Sequence, residues 1–130
     1  MPNHCVNRVT LSGPSADISH LSNLLCATAD NGTTTITFAT LVPEPPGLHD
    51  PNPDGSPSER WYDWRLTHWG TKWDAYNVEI TGQDAETLSF VCSTAWGPPE
   101  AFVEALRARF PNVSVSWFYD EPGCQMAGYL

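Results

Sequence analysis

The sequence predicts an α+β domain in which two helices cover one face of an antiparallel sheet. Three observations lead there. Two segments, near 15–29 and 98–109, carry apolar residues at three- and four-residue steps and read as amphipathic helices. Six short segments alternate in polarity or are rich in β-branched and aromatic residues, and read as strands. A chain of 130 residues with 41% hydrophobic residues has room for one domain, 1–130, with a real core.

Along the chain, Cys5 to Ser12 comes first and alternates, with Val6, Arg8 and Thr10 on one side and Asn7, Val9 and Leu11 on the other. Gly13-Pro14 ends this strand. Ser15 begins a helix whose apolar face is Ile18, Leu21, Leu24 and Leu25, with Asn31-Gly32 as its stop. Thr33 to Leu41 reads as the second strand. The stretch VPEPPGLHDPNPDGSPS holds six prolines and two glycines, which excludes regular structure and leaves a long loop. Next is the aromatic block RWYDWRLTHWGTKWDAY. Ser58 is placed to cap a short helix there, with Trp61, Trp64 and Arg65 as helical neighbours and Gly70 as its end. Tyr76–Thr81 and Glu86–Thr94 read as strands joined by a turn at Gly82-Gln83-Asp84-Ala85. Gly97-Pro98-Pro99 opens the second helix, and Ala101, Phe102, Ala105, Leu106 and Ala108 carry it to Phe110. Pro111-Asn112 breaks it. Val113–Tyr119 is a strand, Glu121-Pro122-Gly123 a turn, and Gln125–Leu130 a short last strand. The order β-α-β-(loop, short helix)-β-β-α-β-β is that of a ferredoxin-like sandwich with an insertion, about 42–70, after its second strand.

Charge is the most informative global property. Fifteen acids face six Lys and Arg, for a net charge of −9 and a pI near 4.5. Such a field repels nucleic acid and anionic membranes and attracts basic proteins. The acids are uneven along the chain. Glu44, Asp50, Asp54, Glu59 and Asp63 lie in and just after the proline-rich loop, offset there only by Arg60. From Asp74 to Glu104 come Asp74, Glu79, Asp84, Glu86, Glu100 and Glu104, with no Lys or Arg among them. Glu100 suits the first turn of a helix and Asp84 suits a turn. The remainder exceeds what capping requires. Duplex DNA carries about one charge per 1.7 Å of axis, so nine charges match roughly 15 Å of duplex.

Motifs of catalysis are missing. The chain has no GxSxG, Walker loop or HExxH, and an enzyme is not expected. His68, Lys72 and Asp74 are close in sequence, and Cys92 with His68 is the one Cys–His pair to consider as a nucleophile and base. Cys5, Cys26, Cys92 and Cys124 contain no CxxC pair, so free thiols are expected, with no metal and no cofactor. The adjacent pair His4–Cys5 does not by itself make a metal site. Trp61, Trp64, Trp69, Trp73 and Trp96 suit either a base-stacking platform or a core. A platform needs a basic groove that this chain lacks, so most are assigned to the core, with Arg65 and Lys72 running along the aromatic surface. No apolar run spans a membrane, and the N-terminus lacks the pattern of a secretory signal, so the expected location is cytoplasmic.

Several stretches are distinctive: MPNHCVNRVTLSG, LVPEP, WRLTHWGTKWDAY, STAWGPPEAF and YDEPGCQMAGY. With these, the chain resembles the YubB-like, ferredoxin-like proteins carried by phages and plasmids, most specifically in WGTKWDAY and AWGPP. His4 departs from the family, which often has Trp there. The resemblance implies the fold and a mobile-element origin and carries no activity. In size and charge the chain also resembles the acidic anti-CRISPR proteins of phages, including one acting on the type I-C system. That resemblance implies a monomeric inhibitor in the host cytoplasm that mimics DNA charge and blocks target-DNA binding by a CRISPR surveillance complex. Glu44, Asp50, Asp54, Glu59, Asp63, Asp74, Glu79, Asp84 and Glu86 would face the basic DNA-binding surface, with no direct nucleic acid contact. The alternatives are a mobile-element protein with another protein partner, and a small enzyme using His68 or Cys92.

Overall fold

The computed structural model describes residues 3–28 and 30–130. In chain order the elements are β1 (His4–Ser12), α1 (Ser15–Leu25), β2 (Cys26–Thr28), β3 (Thr34–Ile36), α2 (Arg60–His68), β4 (Tyr76–Gln83), β5 (Thr87–Ala95), α3 (Glu100–Arg109), β6 (Ser114–Glu121) and β7 (Met126–Tyr129). Five strands form one antiparallel sheet in the order β4-β5-β1-β6-β7, with α1 and α3 packed on it. The fold is α+β and ferredoxin-like.

The alternation in β1 sets the two faces. Cys5, Asn7, Val9 and Leu11 are buried, while Arg8 and Thr10 stand on the open face. Val9 lies between Phe90 and Trp117, and Leu11 between Leu88 and Val115. Ile18, Leu21 and Leu25 from α1 and Phe102, Val103 and Leu106 from α3 close over this layer. Aromatic rings run through the core from Trp69 to Phe38, Phe102, Trp117 and Phe90, with successive centroids 5.9, 4.4, 6.2 and 6.0 Å apart.

The segment between α1 and β4 departs from the expectation. The helix expected over 15–29 stops at Leu25, and Ala29 lies outside the described residues. Cys26–Thr28 instead pairs with Thr34–Ile36 in a separate two-stranded sheet. Asn31-Gly32, read as a helix stop, belongs to the connection of this hairpin: the Thr33 N–H donates to Asn31 Oδ1 at 2.9 Å, and Gly32 takes φ +84°. The strand expected over 33–41 shrinks to three residues because Asp74 captures Thr37 and Phe38. Its carboxylate accepts from Thr37 Oγ1 at 2.6 Å and from the Phe38 N–H at 2.8 Å. The Val42 N–H then bonds the Phe38 carbonyl and turns the chain away. The insertion therefore precedes the second strand of the main sheet, β4, and does not come after it.

Elsewhere the reading holds closely. α2 forms in the aromatic block, but the cap position falls on Glu59, which makes no side-chain cap bond; Ser58 Oγ, one residue earlier, accepts from the Arg60 N–H at 3.2 Å. Gly70, at φ +89°, ends α2 with its N–H on the Arg65 carbonyl. Asp84 closes the β4–β5 turn, its Oδ1 accepting from the Glu86 N–H at 2.9 Å.

Candidate partner-binding surface

The surface is built by where the charges go. Five of the six cations turn inward or along the protein. Arg60 donates to the Gly47 and Asp50 carbonyls, and Arg107 to those of Val115 and Leu130. Arg65 donates to both oxygens of Glu44 and lies over Trp61 and Trp69. Lys72 Nζ sits 4.6 Å from the Trp73 ring centroid, and Arg109 lies over Phe110. Arg8 alone makes no such contact among the described residues. Both ion pairs found there, to Arg65 and to His49, use Glu44. Every other described carboxylate faces its surroundings without a paired cation.

The nine acids singled out from the sequence divide into three kinds. Glu44 and Asp74 are sewn into the fold. Burial acts to raise the Glu44 pKa, but hydrogen bonds from Arg65 and His49, with their charges, outweigh it and lower the carboxyl from its ordinary value. Asp74 accepts from Thr37, Phe38 and Ala75. Asp54 and Asp84 are exposed and shape turns. Asp54 Oδ1 accepts from the Ser56 hydroxyl and N–H, which lowers its pKa. Asp50, Glu59, Asp63, Glu79 and Glu86 are exposed, and their carboxylates make no hydrogen bond among the described residues.

These acids do not form one patch. Asp84 and Glu86 stand at the start of β5, where Gly13 bonds the Glu86 carbonyl and Gln83 bonds Ser22 of α1. The C-terminal end of α2 meets the opposite end of β5. Thr71 Oγ1 donates to the Ala95 carbonyl at 3.0 Å, and the Phe102 N–H to that of Trp69 at 3.1 Å. Nine residues of strand separate the ends, about 27 Å at roughly 3.4 Å per residue.

The tryptophans divide as well. Trp69 is buried, and its Nε1 donates to the Val42 carbonyl; Trp64 and Trp61 are half-buried. Trp73 and Trp96 fall outside the core to which most of the tryptophans are assigned from the sequence: they are 37% and 50% exposed. Trp73 meets Tyr76 edge-on, and Tyr76 hydrogen-bonds His4 on the open face of the sheet. His4 and Cys5 therefore point to opposite faces and share no site. Trp96 also takes φ +72°, a backbone state that its sequence neighbours do not announce.

The Cys–His pair is not assembled. Cys92 is wholly buried in the core, and burial pushes its thiol up to about 12. His68 is exposed on α2, stacked on Trp64 with its Nδ1 at the Trp64 carbonyl. Cys5 is likewise pushed up by burial, to about 11. All four cysteines are free thiols, with Cys26 half-buried and Cys124 exposed. One polar group escapes the sequence reading. Glu121, read as part of a turn, is wholly buried at the end of β6. One of its oxygens accepts from the Cys124 N–H, and Oε1 finds no partner among the described residues. The period-two run Val115, Trp117, Tyr119, Glu121 is the signal that places it inward.

Residues 75–130 are similar to the family described as the ferredoxin-like domain in Api92-like protein. That stretch spans β4, β5, α3, β6 and β7, and excludes β1, α1 and the insertion. No curated protein and no solved structure matches the chain. Among the described residues, no helix is long and apolar enough to cross a membrane.

Proposed function

We propose that this chain is an inhibitory binding protein that presents uncompensated carboxylates to a basic, DNA-binding protein surface. The partner in this reading is a type I CRISPR surveillance complex, whose target-DNA cleft the chain occupies. One observation carries it: five of the six cations are folded back onto carbonyls, carboxylate and rings, while most of the acids are left exposed without a paired cation. Exposed charges without local partners project a field that steers a basic partner and excludes DNA from it.

The test is duplex DNA binding by a purified type I-C surveillance complex, with and without this chain. Inhibition should be complete at saturation. It should also weaken steeply with salt, because the Debye length falls from about 10 Å at 0.1 M to about 3 Å at 1 M. Normal DNA binding at saturating protein ends the reading. A second reading, a mobile-element protein with a different protein partner, is favoured by the exposed Trp73 and Trp96. Partner capture that is indifferent to salt would support it instead.

A further inference from the structure

We propose that Trp96 anchors the partner contact and that the α2 end, rather than the β4–β5 hairpin, is the face that docks on the basic surface. This rests on the reading above and names its site. Trp96 is a bulky residue held in the left-handed region at φ +72°, where residues with a Cβ are disfavoured. Half of its surface is exposed, so packing returns little for that strain. The conformation is imposed by its surroundings. The Trp96 N–H donates to the Asn3 carbonyl at 2.8 Å, the Gly97 N–H to that of Ala95 at 2.9 Å, and Thr94 Oγ1 to the Gly97 carbonyl at 2.6 Å. Strain fixed by neighbours and spent on presenting an aromatic ring is the pattern of a binding clamp.

The neighbourhood fits. Of the six large apolar side chains exposed among the described residues, Trp96 and Trp73 stand at this end, Trp73 through Tyr76 and His4, which pairs with Ala95; Tyr62 and Leu66 are exposed on α2, which leads into it. Trp and Tyr dominate the energetic centres of protein interfaces. Glu59 just before α2 and Asp63 on it flank Tyr62, and Glu100 opens α3 beside Gly70; all three are exposed and without a paired cation. The cations of this region are engaged, Arg60 on backbone carbonyls, Arg65 on Glu44 and Lys72 over Trp73. An apolar centre with an acidic rim complements a basic protein surface and repels phosphate. The hairpin end has Asp84 and Glu86 and none of those exposed apolar groups.

Two variants test the anchor. Trp96→Gly removes both ring and strain, and Trp96→Asn removes the ring with a residue that tolerates the left-handed region. Thermal midpoints and inhibition of duplex binding by the type I-C complex are measured for both. The expected result is a midpoint at or above wild type with inhibition weakened roughly 30-fold, the scale of a lost interface anchor. If wild type itself leaves DNA binding intact, the parent reading falls. If wild type inhibits and both variants inhibit equally well, the anchor is wrong and the parent reading stands. Lower midpoints in both variants would show that the ring serves the fold, which also overturns the anchor.

Discussion

At the β4–β5 hairpin, Asp84 and Glu86 stand on a turn that Asp84 closes locally, and neither carboxylate bonds anything beyond that turn. At the α2 end, exposed Glu59 and Asp63 share their region with Glu44, whose carboxylate ties the proline-rich loop to α2 through Arg65, and Asp74, whose carboxylate holds the turn after β3. The same residue type does two jobs within one region and a single job in the other. A net charge therefore says how strong a field is and not which carboxylates make it. Of these two ends, the α2 end is the one that combines free acids, exposed aromatics and a strained backbone.

Glycine substitution separates the two ends most strongly. Gly70 joins α2 to α3 at φ +89°, and a Cβ there would lie 2.7 Å from the Glu100 nitrogen and 3.1 Å from that of Ala101. Both contacts are backbone and cannot swing aside. Gly70→Ala should cost about 3 kcal/mol or more, by strain and by prising the helices apart. Gly82, before the hairpin, has only the Ser89 side chain at 3.7 Å and an ordinary φ. Gly82→Ala should change stability by under about 1 kcal/mol. Urea unfolding of both variants decides it, and equal losses would mean that α2 is not locked to α3 through Gly70.

The acids come next. Asp74→Ala leaves the Phe38 and Ala75 N–H groups and the Thr37 hydroxyl without their acceptor. Hydrogen bonds to a charged group contribute about 1.5–3 kcal/mol, so a loss of about 3 kcal/mol is expected, with fraying of the β2–β3 hairpin. Asp84→Ala removes one exposed turn bond and should cost about 1 kcal/mol or less. Amide exchange of Phe38 reports the difference. Unchanged protection there in Asp74→Ala would show that the turn after β3 stands without the carboxylate.

Those contrasts also mark how far the sequence is legible. Period-two and helical patterns find β1, β4 to β6, α1 and α3, because each of these elements buries one face against a common core. The same reasoning fails over 33–41, where apolar and β-branched residues belong to a turn. Asp74, more than thirty residues away, decides that conformation, and no local pattern encodes such a partner. The acidic bias is visible, but its division into sewn and free carboxylates is not, since Glu44 looks like Glu59 until Arg65 arrives beside it. Trp96 is harder still, because its exposure arises from a backbone angle set by Asn3 across the sheet.

The smallest effect is a dependence on pH. The Glu44 carboxyl titrates below its ordinary 4.5 in the folded protein, since Arg65 and His49 favour its charged form more than burial opposes it. The unfolded chain therefore takes up a proton at Glu44 before the folded one does. Stability from this group is complete above the unfolded value and is lost as pH falls through the folded one. Glu44→Gln removes that contribution while keeping most of the side-chain volume. At pH 7 the variant should be about 1 kcal/mol less stable than wild type, the scale of a well-formed, partly exposed pair. Below pH 4.5 the gap should close, because wild type loses there what the variant never had. Glu86→Gln, on the exposed hairpin, should stay within about 0.5 kcal/mol of wild type at pH 7. Urea midpoints at pH 7 and pH 3.5 test both ends in one experiment. A Glu44→Gln gap that persists undiminished at pH 3.5 would mean that the side chain acts through packing, and that the Arg65 pair is incidental to holding the insertion.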